Sequence, residues 1–347
     1  MKQVNVGLIG YGLSGQVFHA PVIRAVPGLK LAKVVSSRPE KVRADLPEAE
    51  VVASVDDLLS DDQIELVVVA APNTSHYPYA KQALLAGKHV VVEKPFVIRS
   101  SEAEELIRLA ESRGRVLSVY HNRRWDNDFL TVKHLLQTGA LGEVFLYEAH
   151  YDRYRPEVTD RWRERDLPGS GILYDLGSHL IDQALHLFGL PQTVMADVGA
   201  QRPGARATDF FHIVLGYGAL RVILHAGSLV RQPGPRFMIH GDKGSFIKYG
   251  LDPQEDALRA GQIPGGPEWG RDRKETYGQL TLSVGELNVS SSVETIPGAY
   301  QKYYQQMYEA IVSDTPAPVS PVDAMNVIRV IEWAEQSSRE QRVISVR

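Results

Sequence analysis

No cysteine occurs among the 347 residues, which excludes disulfides, thiolate metal sites and cysteine nucleophiles. Neither charge sign dominates. The 38 Lys and Arg against 42 Asp and Glu leave a formal net charge of -4 and a pI near 6.3, which argues against nucleic acid or an acidic membrane surface as partner. No apolar run is long enough to span a bilayer, so no membrane segment is expected. The 11 histidines show neither H-x-x-x-H spacing nor a carboxylate with two nearby histidines, so no metal is expected either. The first strand is expected within a few residues of the N-terminus, leaving no room for a secretory leader. Together with the missing cysteines, this makes a cytoplasmic protein the expectation. Internal repeats and low-complexity tracts are also lacking. What remains is a 44% hydrophobic, 23% charged globular composition, long enough for two domains and a substantial core.

The stretch from Val4 to Ala25 organises the chain. Val4, Val6, Leu8 and Ile9 form a short apolar run that reads as a buried strand. Gly10-Tyr11-Gly12-Leu13-Ser14-Gly15 then matches G-x-G-x-x-G and leads into helical apolar spacing. In a dinucleotide site the first glycine permits the tight turn, the second admits the pyrophosphate, and the third lets helix pack on strand. The helix start offers free N–H groups to the phosphates. Such turns also occur for structural reasons alone, and the position between strand and helix favours the dinucleotide. Pro21 falls inside the expected helix and should kink or shorten it.

Strand and helix alternate through the first third. Strands are expected at residues 29–36, 51–52, 65–71, 89–92 and 116–120, with helices at 77–86 and 101–112, the latter capped by Ser101 and closed by Gly114. Six strands with intervening helices predict a doubly wound Rossmann domain over residues 1–120, with ligand at the carboxyl ends of the strands. The second strand ends in Ser36-Ser37-Arg38, where an acid about 20 residues beyond the glycines would hold an NAD ribose. No acid stands there. Ser37 and Arg38, with Lys41 nearby, suit a 2′-phosphate and therefore NADP over NAD, the alternative being a solvated basic loop. The fourth strand ends in Pro72-Asn73-Thr74-Ser75-His76, a turn that either runs under the nicotinamide ribose or caps the next helix. The fifth ends in Glu93-Lys94-Pro95. Lys94 is either a functional cation at the strand mouth or a surface lysine paired with Glu93. Asn122, after the sixth strand, is a further candidate for the nicotinamide pocket.

From residue 121 the pattern changes to consecutive strands with short turns. These are expected at 144–151, 194–200, 209–217, 220–230, 236–241, 245–249 and 288–294, with helices at 129–138, 175–188, 300–313 and 322–338. The fold class is thus α/β: the Rossmann domain plus a C-terminal α+β domain, residues 121–347, with a large, open, mostly antiparallel sheet. The C-terminal helices are left free to pack back on the first domain. The Gly-, Pro- and charge-rich residues 252–278 read as a long loop. Within Gly169-Ser170-Gly171-Ile172-Leu173-Tyr174-Asp175-Leu176-Gly177-Ser178-His179, a helix from about Leu173 would put Asp175 and His179 at i and i+4 on one face. A carboxylate so placed can orient an imidazole and raise its pKa, as a general base requires. Asp182 and His186 repeat the spacing, so helices also carry such pairs without function. Asp152 and Tyr154 could meet polyol hydroxyls or simply alternate along a strand.

Taken together, GxGxxG at the N-terminus, the EKP triplet and the later G-x-G-x-x-x-D-x-G-x-H segment resemble the Gfo/Idh/MocA oxidoreductase family across essentially the whole chain. Within it, GYGLSGQVFHAP, SVYHNRRWDNDFLT, YDRYRPEV and YDLGSHLIDQALHLFG are similar to a bacterial NADP-dependent scyllo-inositol 2-dehydrogenase group and to members of unassigned substrate. The resemblance implies that Lys94, Asp175 and His179 are catalytic and also touch substrate. It implies that Trp162 and Arg163 reach the cofactor, against the alternative of a basic surface turn with a packed indole. It also implies association through the free sheet face into a homo-oligomer, dimer or tetramer. The expected reaction is NADP-dependent interconversion of a secondary alcohol and ketone on a cyclic polyol or sugar. Reduction of another sugar or dicarbonyl, and a non-catalytic NADP-binding sensor, remain as alternatives.

Overall fold

The structure, a computed structural model, describes residues 2–346 and divides into two compact units. The first comprises the chain up to Trp125 together with Gln254–Trp269 and Ala299–Met325. Its strands are β1 (Val4–Ile9), β2 (Leu29–Val35), β3 (Glu50–Val52), β4 (Leu66–Val69), β5 (His89–Val92) and β6 (Leu117–Val119). They form one parallel sheet in the order β3-β2-β1-β4-β5-β6. Strand order reverses between β1 and β4, the switch point at which open α/β sheets bind ligands. The uniformly apolar β4 and the Val90–Val92 run of β5 are fully buried, as expected of strands covered on both faces.

Helices α1 (Ala20–Arg24), α2 (Pro39–Asp45), α3 (Val55–Leu59), α4 (His76–Leu85) and α5 (Ser100–Arg113) connect these strands. Pro21 has the expected effect. Ser14–His19 is π-helical, and α1 begins afresh with the proline in its first turn, where a missing N–H is harmless. Ser101 is not the cap of α5. That helix starts one residue earlier from Arg99, because Glu102 reaches back to accept the N–H groups of Ile98 and Arg99, each at 3.2 Å. Gly114, left-handed at φ 58, closes it.

The residues expected as a loop at 252–278 contain a helix, α8 (Gln254–Arg259). Its first residue is fully buried and polar. Gln254 donates to the Trp125 carbonyl at 3.1 Å and accepts from Trp269 Nε1 at 2.9 Å and the Tyr300 N–H at 2.8 Å. One amide thereby satisfies backbone groups from separate parts of the chain. Helix α9 (Gln301–Ser313) is anchored in the same unit: Tyr303 donates to Ser118 Oγ at 3.0 Å, and Ser118 donates to the Val319 carbonyl at 2.9 Å.

The second unit comprises Asp126–Pro253, Gly270–Gly298 and the chain from Asn326 onward. It holds α6 (Asn127–Gln137), β7 (Val144–His150), α7 (Ser178–Phe188), β8 (Thr193–Gly199), β9 (Phe210–Tyr217), β10 (Leu220–Gly227), β11 (Phe237–Gly241) and β12 (Gly244–Lys248). Strands β13 (Gly278–Val284), β14 (Leu287–Val293) and β15 (Ile344–Ser345) complete a nine-stranded sheet, ordered β14-β13-β12-β11-β7-β10-β9-β8-β15. Every pairing is antiparallel except β7 with β10. Tyr147, Ala149, Phe211, Ile213, Leu215, Val222, Leu224, Phe237 and Ile239 alternate inward and are fully buried, with Tyr147 edge-on to Phe188 of α7 at 5.4 Å. The opposite face keeps half-exposed side chains. β13 and β15 lack an expected counterpart: the alternation of Leu280, Leu282 and Val284 in the first went unread, and the second is two residues long.

Candidate active site

The glycine turn follows β1, and each glycine has a distinct role. Gly10 has φ 98, and a Cβ there would lie 2.6 Å from the Ala70 carbonyl oxygen. At Gly15 a Cβ would sit 2.1 Å from the Gly10 carbonyl, so only glycine lets the helical segment approach the turn. A Cβ on Gly12 would meet nothing within 4 Å. Close packing therefore explains Gly10 and Gly15, whereas Gly12 leaves open the space that a pyrophosphate would approach. Leu13 beside it is exposed.

Ser37 and Arg38 are exposed at the end of β2. The Arg38 N–H bonds Ser36 Oγ at 3.0 Å, and its guanidinium donates to the Tyr11 carbonyl at 3.3 Å. The basic end of β2 is thus tied to the glycine turn. Lys41 lies in the first turn of α2, and the Tyr11 hydroxyl donates to Asp45 at the end of that helix, at 3.2 Å. After β4, Pro72 is exposed, while Asn73 and His76 are buried. His76 staples two turns, its Nδ1 2.8 Å from the Pro95 carbonyl and its Nε2 3.0 Å from that of Ala71. Burial pushes its pKa down, against the two carbonyl contacts, which favour the protonated ring.

The Glu93-Lys94-Pro95 triplet is the centre of this unit. Glu93 is buried and its two carboxylate oxygens have different partners. One accepts a hydrogen bond from Ser14 in the glycine turn and faces His19 Nε2 at 3.3 Å; the other accepts the Lys94 N–H at 2.6 Å. His19 is itself fully buried, with Nδ1 2.5 Å from the Tyr304 hydroxyl and its ring 4.4 Å from that of Tyr120. Burial pushes the Glu93 pKa up, but hydrogen bonding and charge from His19, with Lys94 and Ser14, outweigh it and hold it at about 2. Glu93 is therefore an anchor for the Lys94 backbone. Lys94 is half-buried, and its peptide bond to Pro95 is cis. Asn122 opens a single 3-10 turn after β6. His19, Tyr120 and Tyr304 escape sequence reasoning, because Tyr304 lies 285 residues from His19 and no local pattern joins them.

In the second unit the glycine-rich segment behaves differently from a plain helix. Gly171, at φ 81, packs where a Cβ would lie 2.9 Å from both the N and O of Thr208, and Thr208 accepts the next N–H, that of Ile172, at 2.8 Å. Leu173–Gly177 is then π-helical and α7 begins at Ser178. Asp175 lies on the π turn and His179 in the first turn of α7, a local widening often found at functional sites. Asp175 pairs with Arg163 at 3.2 Å, and the Arg163 guanidinium lies 5.4 Å from the Trp162 ring. Trp162, Arg163 and Asp175 are thus brought together. His179 is buried, with the Tyr151 ring edge-on at 6.5 Å. Buried Arg236 supports this arrangement from beneath: Nη2 donates to the Tyr151 hydroxyl at 3.0 Å and to Gln183 of α7 at 2.7 Å. Asp152 turns toward His150 and His225, while Tyr154 is exposed, hydrogen-bonded to Arg231 and stacked with its guanidinium.

A glycine turn at the switch point of a parallel sheet, together with an acid–histidine helix in an open-sheet unit, is the pattern of two-domain dinucleotide-dependent oxidoreductases. Residues 4–121 match the family model described as an oxidoreductase family NAD-binding Rossmann fold, and residues 133–346 match its C-terminal alpha/beta domain. The chain belongs to the Gfo/Idh/MocA oxidoreductase family. It is 48% identical over 341 residues to scyllo-inositol 2-dehydrogenase (NADP(+)) IolW of Bacillus subtilis, covering 98% of this chain and 95% of that protein. Identity is also 48% to the uncharacterized oxidoreductase YdgJ of Escherichia coli, covering 98% of each. The solved structure of oxidoreductase yvaA from Bacillus subtilis superposes with a TM-score of 0.98 at 48% identity, covering 100% of this chain and 99% of that one.

Two outcomes are expected. Gly12→Ala should melt within about 2 °C of the wild type, since its Cβ would meet nothing within 4 Å and substitutions away from packed contacts change stability by about 0.5 kcal/mol or less, while dinucleotide affinity falls about tenfold by isothermal titration. Gly15→Ala, by contrast, should lose roughly 1–3 kcal/mol of stability through overpacking. Equal melting losses in both variants would contradict the division of roles. Glu93, its pKa depressed from 4.5 to about 2, contributes stability in full above pH 4.5 and loses it as pH falls toward 2. Glu93→Gln should therefore be less stable by on the order of 3 kcal/mol at pH 7, with the gap narrowing in urea unfolding between about pH 5 and 3. A gap independent of pH would assign the loss to packing instead.

Proposed function

We propose that the protein is an NADP-dependent dehydrogenase acting on a secondary alcohol of a cyclic polyol, with scyllo-inositol and its ketone scyllo-inosose as the favoured pair. The observation that carries this reading is the 48% identity to the Bacillus subtilis enzyme over nearly the full length of both chains. NADP fits the residues present: Gly12 leaves room for a pyrophosphate, no acid stands at the end of β2, and Arg38 is held there against the Tyr11 carbonyl. Ser37 and Lys41 add polar and cationic character for a 2′-phosphate. Ser14, Pro72, Asn73, Asn122, Trp162 and Arg163 complete the proposed cofactor contacts, with His76 and Glu93 acting through the turns they hold.

NADP would accept the hydride when bound; the chain's own residues handle the proton and the oxygen. His179 takes the hydroxyl proton as general base. Asp175 orients the imidazole and stabilises its protonated form. Lys94 hydrogen-bonds the same oxygen, stabilising developing alkoxide in oxidation and polarising the ketone in reduction. Tyr154 would hydrogen-bond ring hydroxyls. Asp152, a second candidate for that role, also carries two histidine contacts. The equal identity to YdgJ, of unassigned substrate, supports a second reading, reduction of another sugar or dicarbonyl.

The reading extends to assembly and location. In cross-strand register on the outer sheet face, Met195, Val214, Ile223, Glu148, Met238 and Ile247 form a mainly apolar row. Such a row suits association of copies into a homo-oligomer. No helix among the described residues is long and apolar enough to cross a membrane, and a cytoplasmic site of action is proposed.

Absorbance assays with scyllo-inositol, myo-inositol and a sugar panel, each with NADP or NAD, test the reaction. Turnover with scyllo-inositol and NADP is expected. Lys94→Ala should lose it by at least about 100-fold, as removal of an oxyanion donor does, with NADP affinity retained. Arg38→Ala should weaken NADP while leaving NAD affinity unchanged. NADP binding without turnover on any alcohol or ketone would favour a sensor, and preference for NAD would overturn the role of Arg38.

A further inference from the structure

The outer face of the nine-stranded sheet carries a cluster whose two histidines have no place in the proposed reaction. Strands β7 and β10 form the one parallel pair, and their register sets His225 directly beside His150. The two rings lie 5.3 Å apart and both turn Nδ1 toward Asp152, just beyond β7. His225 Nδ1 is 2.8 Å from Oδ1 of Asp152, and His150 Nδ1 is 3.3 Å from Oδ2. The Gly227 N–H also donates to Oδ1, at 3.2 Å, which fixes the carboxylate. One ligand atom from each of the three residues fits within a 4.8 Å set.

The spacing suits a coordination sphere. Metal–nitrogen and metal–oxygen distances of about 2.0–2.2 Å make tetrahedral edges of roughly 3.4 Å. The two histidine nitrogens already stand 2.8 and 3.3 Å from separate oxygens of Asp152, and side-chain rotation would bring one oxygen and both nitrogens onto a common ion. His150 has the further feature of a ligating imidazole, a carboxylate on its second nitrogen: Nε2 is 3.4 Å from Glu148 Oε2. That partner orients the ring and raises its basicity. The side chains of His150, Asp152 and His225 are 20%, 6% and 18% exposed, so the cluster is partly desolvated yet open to entry from solvent. Phe210 lies edge-on to His225 at 5.5 Å and walls one side. Two carboxylates with two neutral imidazoles balance a dication.

We infer that His150, Asp152 and His225 form a binding site for a divalent transition ion of the zinc class, with Glu148 as the outer partner of His150. All three ligands come from one chain, so uptake requires no second copy. The ion's place is structural: it joins β7 to β10, strands on which no tight hairpin sets the register. It supplies no step of hydride transfer. Spacing along the sequence cannot reveal the site, because His225 lies 73 residues beyond Asp152 and only strand pairing unites them.

The test uses tag-free, chelator-treated full-length protein. Titration calorimetry with Zn²⁺, and the visible spectrum on adding Co²⁺, should give about one ion per chain with tetrahedral or five-coordinate Co²⁺ bands. His225→Ala and His150→Ala should each abolish this uptake, whereas His212→Ala, one strand over, should keep it. Glu148→Gln should weaken it about tenfold, as outer-shell changes do. Far-UV circular dichroism confirms folding of each variant. Absence of stoichiometric uptake by the wild-type chain would overturn the inference and leave a hydrogen-bonded cluster only. Uptake undiminished in both His150→Ala and His225→Ala would overturn it equally.

Discussion

The buried carboxylate of Glu93 is the constraint on which the nucleotide-binding unit depends. A charge taken out of water is costly unless opposite charge and hydrogen-bond donors surround it. Here the glycine turn supplies Ser14, the strand mouth supplies the Lys94 N–H, and the first helical turn supplies His19. His19 in turn rests on Tyr304 of α9. Satisfying one acid therefore fixes the glycine turn, the backbone that presents Lys94, and the packing of a distant helix.

The second unit solves a related problem with a buried cation. Arg236 has no water to solvate it, and Tyr151, Gln183 and Asp128 take over that function. Gln183 sits one turn beyond His179 on α7, and the Tyr151 ring stands against His179. Fixing Arg236 therefore fixes both the helix that carries the imidazole and the ring beside it. Preorganisation of this kind is what general-base catalysis requires, because a misplaced base loses its proton-transfer geometry.

Much of the fold was legible because its signals are local. Continuous apolar runs identified β1, β4 and β5, and the expected division of roles among Gly10, Gly12 and Gly15 matches the space around each. The tasks of Gln254 and Glu102 were not legible, since a hydrogen bond to a backbone group far along the chain leaves no periodic trace. For that reason α8 passed for loop and Ser101 for a cap. The spacing of Asp175 and His179 was readable, but their proposed roles rest on family resemblance, because Asp182 and His186 carry the same spacing. The π-helical turn at Asp175 was likewise invisible, since its apolar spacing does not distinguish it from an α-helical turn.

The pairing of Asp175 with Arg163 shows how little a resting partner constrains a candidate catalytic acid. Arg163 is about half exposed, at 47% of its side chain, and an ion pair open to water contributes about 1 kcal/mol or less. The Glu93 contacts differ in kind, because that carboxylate is buried and its partners cannot be replaced by water without cost. Stability is thus concentrated in the turn that presents Lys94, whereas the contact between Asp175 and Arg163 contributes little.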